Sequence, residues 1–419
     1  MQVTIGVDYT AAARQRAGIG RYTRELVAAL LALESASGSS RQYVLFAATG
    51  GLRADQRRLL TAVLDAKSVG GGRATGLHAT RGVTPTCGCS WSPEGRVRLR
   101  TVPLTDEWLA RLWHRLRLPI PVETVTGSLD MFYSPDFVLP PTCRATRTLL
   151  TVHDLSFLHH PETFVPALHR YLERVVPRSV ARADLVLADS SHTRSDLISL
   201  LGVSPGKVRV LYSGVDARFR PQREPEEGER LRTRYGLDER PYVLSVGTLQ
   251  PRKNYIRLIH AFAILREAMP ETQLAIAGGR GWLCQDIFAA AEAHGESVRL
   301  LGFVDEAHLP ALYRGAALLA FPSLYEGFGL PVLEAMACGV PVVCSNVSSL
   351  PEVAGDAAVL VDPFDVGGLA EAMERVLQDA DRRRDMVARG IAQAARFTWD
   401  EAARQLLAAF DAVQCRVSP

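Results

Sequence analysis

Short apolar runs alternate with amphipathic stretches along most of the chain. In the first half these runs occupy 3–8, 42–49, 130–135, 146–154, 183–190 and 207–214. Val, Leu and Ile stand at consecutive positions in them, so the pattern predicts strands that are buried on both faces. Such strands belong to parallel sheets covered by helices, and the pattern therefore predicts an α/β fold.

The alternation begins again after a charged segment at 221–240 that contains Pro and Gly. The second set of runs occupies 242–247, 272–279, 298–303, 317–323, 340–345 and 357–362. Two successive units of similar size predict two Rossmann-like, doubly wound domains, 1–215 and 216–397, that face one cleft. Ligands of such sheets bind beyond the carboxyl ends of the strands, so we expect the functional residues there.

The last segment predicts a helix that follows the second domain. Thr398 is followed three residues later by Glu401, which is the capping-box pattern of a helix start. A long amphipathic helix needs an apolar surface to pack on, so we expect residues 398–415 to cross back onto the first domain.

Two segments depart from the alternation. Residues 67–100 are rich in Gly, Ser, Thr and Pro, which predicts a long mobile loop. Residues 106–120 predict an amphipathic helix with an apolar stripe, including Trp108 and Trp113, beside Arg side chains. Two interpretations of this helix stay open: it packs on its own domain, or it lies against an anionic bilayer or a lipid-linked acceptor.

Composition narrows the class of protein. The chain has 419 residues, of which 47% are hydrophobic and 22% charged, and its net charge of +3 gives no case for nucleic-acid binding. The seven cysteines include a single Cys87-x-Cys89 with no second pair nearby, which is weak support for a metal site. The start of the chain predicts a strand rather than a signal peptide. We therefore expect a cytoplasmic protein, with peripheral contact to the inner face of the membrane left open.

The segment EGFGLPVLEAMACGV at 326–340 sets Glu326 and Glu334 eight residues apart. Two carboxylates near a ligand can be an acid and a nucleophile, or two hydrogen-bonding groups on one substrate. Pro331 is predicted as the first residue of a helix and Gly339 as the residue just past its end. The free N–H groups at that helix start form an anion site between the two carboxylates, which favours a diphosphate flanked by two hydroxyl-rich sugars.

Three other segments follow predicted strands. SVGTLQPRKN at 245–254 brings Arg252 and Lys253 to the strand ends, where cations can meet the same diphosphate. RAGIGRYTREL at 16–26 has a G-x-G that lets backbone approach a ligand, although Thr23 replaces the third small residue of the dinucleotide fingerprint. TVHDLSF at 151–157 places His153 at a strand end, either as a hydrogen-bonded core residue or as a ligand contact.

Together these segments resemble the retaining glycosyltransferases of family 4, which have the two-domain GT-B fold. The resemblance covers nearly the whole chain and is most specific in EGFGLPVLE, with TVHDLSFLHHPETF, YSGVDARFRP and LPEVAGDAAVLVDP similar to blocks of bacterial mannosyltransferases from surface-polysaccharide pathways. It implies a hexosyltransferase that moves a sugar, mannose first, from a nucleotide diphosphate sugar to a glycan, lipid-linked or small-molecule hydroxyl.

The resemblance also assigns roles by position. Glu334 would hold the ribose hydroxyls, Glu326 the hydroxyls of the transferred sugar, and Arg252 with Lys253 the diphosphate, while His153 would lie at the reacting sugar. The residues implied at the reacting groups are therefore His153, Arg252, Lys253 and Glu326. The residues implied as further donor contacts are Gly18, Gly20, Gly247, Phe303, Gly327, Phe328, Gly329, Leu330 and Glu334.

The implied chemistry needs no metal and no cofactor besides the donor, for which GDP-mannose is the first candidate and a UDP-sugar the second. Retention would proceed by front-face attack, with the departing phosphate accepting the proton of the acceptor. A nucleotide-sugar epimerase, a phosphorylase and a non-catalytic sugar-nucleotide-binding protein on the same fold stay as alternatives. The acceptor and its linkage are not specified by the sequence.

Overall fold

A computed structural model of the chain describes residues 2–16, 18–63, 90–91 and 96–415. Its strands form two separate sheets, as the repeated alternation predicts. The first sheet contains β1 Thr4–Asp8, β2 Gln42–Ala48, β3 Ser90–Trp91, β4 Val97–Val102, β5 Met131–Ser134, β6 Arg147–Val152, β7 Leu185–Ala188 and β8 Val208–Val210. The second contains β9 Tyr242–Val246, β10 Gln273–Ala277, β11 Val298–Gly302, β12 Leu318–Phe321, β13 Val342–Ser345 and β14 Ala358–Val361.

Both sheets are doubly wound. The first has the order β3-β4-β2-β1-β5-β6-β7-β8, and all its pairings are parallel except that of β3 with β4. The second has the order β11-β10-β9-β12-β13-β14 and is parallel throughout. The chain reverses its winding between β1 and β5 in one sheet and between β9 and β12 in the other, and a crevice opens at each of these switch points.

Helices cover the faces of the sheets. Their bounds in the first half are α1 Thr10–Arg14, α2 Ile19–Ala36, α3 Ala54–Ala62, α4 Asp106–Ala110, α5 Glu123–Thr126, α6 Ser156–His159, α7 Pro166–Arg182 and α8 Ser191–Leu201. Those in the second half are α9 Glu227–Tyr235, α10 Tyr255–Ala268, α11 Gln285–Ala293, α12 Leu309–Gly315, α13 Leu330–Ala337, α14 Leu350–Ala354, α15 Val366–Gln378, α16 Ala380–Ala394 and α17 Trp399–Cys415. None of those described is long and apolar enough to cross a bilayer.

The last helix, α17, packs against α2 of the first domain, as the sequence predicts. Thr398 accepts a hydrogen bond from the N–H of Glu401 at 3.2 Å and so caps the helix start. Leu406 and Phe410 are fully buried in the same core as β1 and α2. The chain therefore returns to its first domain after it has completed the second.

Three parts of the fold differ from the pattern. The charged segment 221–240 is more than a linker, because α9 lies in it and buries Leu231 in the second domain. The predicted loop 67–100 ends in β4, whose alternating Val and Leu are buried on one face; residues 64–89 and 92–95, with Cys87 and Cys89, lie outside the described part. The helix predicted at 106–120 is α4 followed by one π-helical turn at 111–115.

Candidate active site

The predicted cations and the first glutamate meet at the switch point of the second sheet. β9 and β12 are neighbours there, with Gly247 just after β9 and the loop 322–329 just after β12. A short helical turn at Pro251–Lys253 carries the two cations, and it is tied to the loop by a hydrogen bond from the N–H of Leu324 to the carbonyl of Arg252 at 2.9 Å. The carboxyl ends of two parallel strands therefore bring together residues more than 70 positions apart.

Glu326 is held between Arg252 and Lys253. The Lys253 Nζ donates to Glu326 Oε1 at 2.6 Å, and an Arg252 nitrogen donates to Oε2 at 3.1 Å. All three side chains are at least four-fifths buried, so their charges are poorly screened by water. The cluster carries one more positive than negative charge, which suits an anionic ligand.

Burial and charge set the protonation of this cluster. Burial alone would raise the pKa of Glu326, but the charges of Arg252 and Lys253 outweigh it and lower that pKa to about 2. Burial lowers the pKa of Lys253, and the carboxylate of Glu326 opposes that change. Glu326 is therefore an ionised acceptor at neutral pH and not a proton donor.

Two serines that the sequence analysis did not single out, Ser348 and Ser349, hold the loop around Glu326. Its N–H donates to the Ser348 hydroxyl at 2.9 Å. The Ser349 hydroxyl donates to the carbonyls of Glu326 and Phe328 at 2.9 and 2.7 Å. Both serines precede α14, more than 20 residues later in the chain, so only the folded sheet brings them here.

Helix α13 starts one residue earlier than predicted. Leu330 is its first residue and Pro331 its second, while Gly329 stands before it with a φ of 112°. Gly339 follows its end with a φ of 72°, as the pattern predicts. The backbone at 329–330 therefore has the unpaired N–H groups on which the anion-site prediction depends.

Glu334 is buried and already has protein partners. Its Oε2 accepts from the Tyr313 hydroxyl at 2.8 Å, and its Oε1 pairs with Arg21. Arg21 lies on α2 of the first domain, and its guanidinium also faces the ring of Phe219 at 5.5 Å. The second carboxylate therefore points back toward the first domain, and Arg21 is a contact that the sequence did not single out.

The glycine loop of the first domain contains two glycines with different requirements. Gly18 has a φ of 59° and a ψ of −128°, which L-residues rarely adopt, and nothing lies within 4 Å of where its Cβ would be. A Cβ on Gly20 would lie 1.9 Å from the carbonyl oxygen of Gln15. Gly20 is therefore required by the close approach of the Gln15 backbone to α2, while Gly18 leaves open space before the helix.

His153 lies at the end of β6 with both ring nitrogens bonded. Nδ1 is 2.6 Å from an Asp189 carboxylate oxygen, and Nε2 donates to the Pro135 carbonyl at 3.0 Å. Burial alone would lower its pKa, but Asp189 and Asp136 raise it to about 9. The geometry is that of a satisfied buried imidazolium, and its contact with the reacting sugar stays a prediction.

The remaining predicted donor contacts lie in both domains. Gly327 packs on the first domain, because a Cβ there would lie 1.8 Å from the carbonyl oxygen of His153. The side chain of Phe328 is buried and Leu330 is half-buried, so their contribution to a ligand would come from the backbone.

Two further predicted contacts follow strands β9 and β11. The carbonyl of Gly247, just after β9, accepts from the Tyr255 hydroxyl at 2.8 Å. Phe303 is exposed after β11, with Arg16 of the first domain 5.6 Å from its ring.

The switch points of the two Rossmann-like domains face each other, and one of them carries a cationic pair and a buried carboxylate. This is the architecture of GT-B glycosyltransferases. Comparison with solved structures supports this class. Sucrose-phosphate synthase from Thermosynechococcus elongatus aligns with 99% of this chain and 100% of its own, with a TM-score of 0.69 and 20% identity. Anabaena Alr3699/HepE, solved with UDP and glucose, aligns over 98% and 100% with a TM-score of 0.67 and 19% identity.

Sequence comparison gives the family. A model of glycosyl transferases group 1 matches residues 228–393, and a model of glycosyltransferase family 4 matches 78–219. O-antigen chain mannosyltransferase B of Escherichia coli is 38% identical over 283 residues, which span 67% of this chain and 74% of that protein. The chain belongs to the family-4 glycosyltransferases. It is a hexosyltransferase with a GT-B fold. The comparisons do not favour the epimerase, phosphorylase or non-catalytic alternatives.

Proposed function

We propose that this protein transfers mannose from GDP-mannose, with retention of anomeric configuration, to a hydroxyl of a glycan or lipid-linked acceptor. The observation that carries the proposal is the buried cluster of Arg252, Lys253 and Glu326 at the switch point of the second sheet. The 38% identity to a protein named as an O-antigen mannosyltransferase supports mannose as the sugar.

The cluster accounts for both halves of the donor. Arg252 and Lys253 stabilise the negative charge that develops on the departing diphosphate, and preorganised charges in a buried site are the largest catalytic term in many enzymes. The ionised Glu326 accepts hydrogen bonds from the hydroxyls of the transferred sugar. In the free protein Glu326 pairs with Arg252 and Lys253. When the diphosphate binds, its oxygens also pair with these two cations.

His153 has a supporting part in this mechanism. Both of its nitrogens donate to protein acceptors, so it contributes positive charge near the first-domain side of the cleft and does not act as a base. Glu326 is a weak base, because the charges of Arg252 and Lys253 lower its pKa to about 2. The proton of the acceptor hydroxyl therefore passes to the departing phosphate oxygen. The attack is then on the face that the diphosphate leaves, which retains the configuration.

A nucleotide screen tests the donor. Thermal unfolding with GDP, UDP and their sugars compares the ligands directly, since a ligand at about 100 times its Kd adds about 2.7 kcal/mol to stability. We expect GDP-mannose and GDP to raise Tm and the UDP compounds to have little effect. Stabilisation by UDP compounds alone would overturn the choice of base while leaving the reaction class intact.

Product analysis tests the reaction itself. Transfer from GDP-mannose to an added acceptor should give the α-mannoside from the α-linked donor, as read from the one-bond C1–H1 coupling by NMR. Activity should persist in excess EDTA, because the cations at 252 and 253 replace the metal at the diphosphate. Loss of activity that Mg²⁺ or Mn²⁺ restores would contradict this metal-free mechanism.

The segment 104–120 supports contact with an anionic membrane, where a lipid-linked acceptor would lie. Trp108 is 51% exposed and Leu116 62% exposed, and Arg111, Arg115 and Arg117 lie in the same segment. Apolar side chains flanked by Arg are typical of interfacial helices. Cosedimentation with phosphatidylglycerol vesicles should exceed that with phosphatidylcholine, and Trp108→Ala with Leu116→Ser should abolish the difference. Leu200→Ala, at an exposed position of α8, is the matched control.

A further inference from the structure

A second group of polar side chains lies beside the loop of Glu326 and has no part in the mechanism above. His159 at the end of α6, with His192 and Asp196 on α8, brings three ligand atoms within 4.8 Å of one another. Among the described residues, no other group of three His, Cys, Asp or Glu side chains has the geometry to hold a metal ion. His192 and Asp196 are four residues apart, so one helix face presents both.

The distances suit a tetrahedral ion. His159 Nε2 is 2.9 Å and His192 Nε2 3.6 Å from the same Asp196 oxygen. Zinc bonds of 2.0–2.1 Å to nitrogen and oxygen place tetrahedral ligand atoms about 3.3 Å apart. The two distances to Asp196 are within a few tenths of an ångström of that value, and all three ligand atoms lie within 4.8 Å of one another, so rotation of the partly exposed His192 ring would bring its nitrogen toward a shared ion.

The carboxylate of the group is held by an outer hydrogen bond. The Tyr325 hydroxyl, from the second domain, donates to Asp196, and the Tyr325 ring stacks on His159 with centroids 4.9 Å apart. Outer partners of this kind fix the orientation of metal ligands. The Asp196 carboxylate is itself about nine-tenths buried, as a preformed ligand would be.

A simple hydrogen-bond network would explain His159 but not His192. His159 donates to Asp196 at a normal distance, whereas the His192 ring makes no hydrogen bond to the described residues and lies 3.6 Å from that same oxygen. This is too long for a hydrogen bond. His192 therefore points at the carboxylate without bonding to it, which is the position of a ligand around a shared ion.

We propose that His159, His192 and Asp196 bind one transition-metal ion, with zinc as the expected species and a water or a fourth ligand completing the site. Two imidazoles and one carboxylate favour Zn²⁺ over Mg²⁺ and Ca²⁺, which take oxygen ligands. The ion would lie on the first domain against Tyr325, the residue before Glu326, and so would support the contact between the domains. This site is separate from the proposed donor chemistry, which uses Arg252 and Lys253 instead of a metal.

Zinc binding by the full chain tests the proposal. After treatment with chelator and buffer exchange, titration calorimetry with zinc chloride should give one site per chain, and metal analysis after dialysis should find about one equivalent. His192→Ala should lose this site without breaking a hydrogen bond of the fold. Tyr325→Phe should bind about tenfold more weakly, as outer-partner changes do. His169→Ala, which removes another partly exposed His beside a Glu, should bind like the wild type.

Two controls keep the outcome clear. The double variant Cys87→Ser, Cys89→Ser should keep the zinc site, and zinc binding should survive excess Mg²⁺. The proposal is overturned if the wild type binds no zinc, if His192→Ala binds it equally well, or if the cysteine variant loses it. Because binding is measured directly, these results do not depend on whether GDP-mannose is the donor.

Discussion

The two sheets share a strand order around their switch points but carry different chemistry there. The second domain places two largely buried cations, each within 3.1 Å of one buried carboxylate. The first domain offers a glycine turn at Gly18 and an imidazolium at His153 whose hydrogen bonds are already taken. The same backbone arrangement therefore supports an anion site in one domain and a largely backbone-lined wall in the other, because the residues just after the strands decide which it becomes.

The domains also differ in how they complete their cores. The second domain is closed by helices that lie directly before, between or directly after its own strands. The first borrows α17 from the far end of the chain, and Phe410 of that helix is fully buried against it. The first domain, which does not contain the charged cluster, therefore depends for its stability on a segment from the far end of the chain.

The largest effect should come from removing that borrowed packing. Phe410→Ala leaves a cavity between α17 and the first sheet, and should lower the free energy of unfolding by about 3–5 kcal/mol, as measured by urea denaturation. Arg404→Ala, at an exposed position of the same helix, should change it little. Equal stability of the two variants would show that α17 is dispensable and would break the contrast between the domains.

Removal of one charged side chain from the cluster in the second domain should lower the rate of transfer and leave the fold intact. Lys253→Ala and Glu326→Ala should each lower kcat by several hundredfold, equivalent to about 3–4 kcal/mol in the barrier, because a preorganised charge at the donor is lost. Far-UV circular dichroism should stay native. Arg375→Ala removes an exposed helix pair with Glu371 and serves as the control. Near-normal turnover in both site variants would refute the assignment.

The imidazolium of the first domain predicts a pH dependence of stability. The folded pKa of His153 is about 9, above its ordinary value of 6.5, so the stabilisation is fully present below about pH 6.5 and is lost as the pH rises through about 9. The difference corresponds to at most about 3 kcal/mol. Urea unfolding across this range should show the decline, and Asp189→Asn should flatten it. An unchanged slope in Asp189→Asn would mean that His153 is not paired as the geometry indicates.

The smallest effect should come from the glycine turn. Gly18→Ala puts a side chain at a φ of 59° and a ψ of −128° in open space, so only backbone strain of about 1–3 kcal/mol is expected. Because the turn faces the cleft, the KM for the donor should rise more than kcat falls. Gly38→Ala has a similar φ of 65° at the far end of α2 and should lose comparable stability with KM unchanged. A wild-type KM in Gly18→Ala would remove this turn from the donor site.

Much of the fold follows from the order of apolar runs. Consecutive Val, Leu and Ile fixed the strands as buried and parallel, and Thr398 with Glu401 located the start of the last helix. The predicted loop 67–100 concealed β4, because six residues of alternating pattern are a weak signal beside a long run of Gly, Ser and Pro. Local boundaries such as the start of α13 shifted by one residue, since Pro is compatible with either of the first two helical positions.

The site divides in the same way. The sequence by itself determined that Glu326, Arg252 and Lys253 follow strands of one sheet, because the strand ends of a parallel sheet share one edge. Only the tertiary structure decided their partners: Ser348 and Ser349 beneath the loop, Arg21 on Glu334, and Asp189 and Pro135 on His153. These contacts join segments tens to hundreds of residues apart, and hydrophobic periodicity carries no information about which polar side chains will meet across such distances.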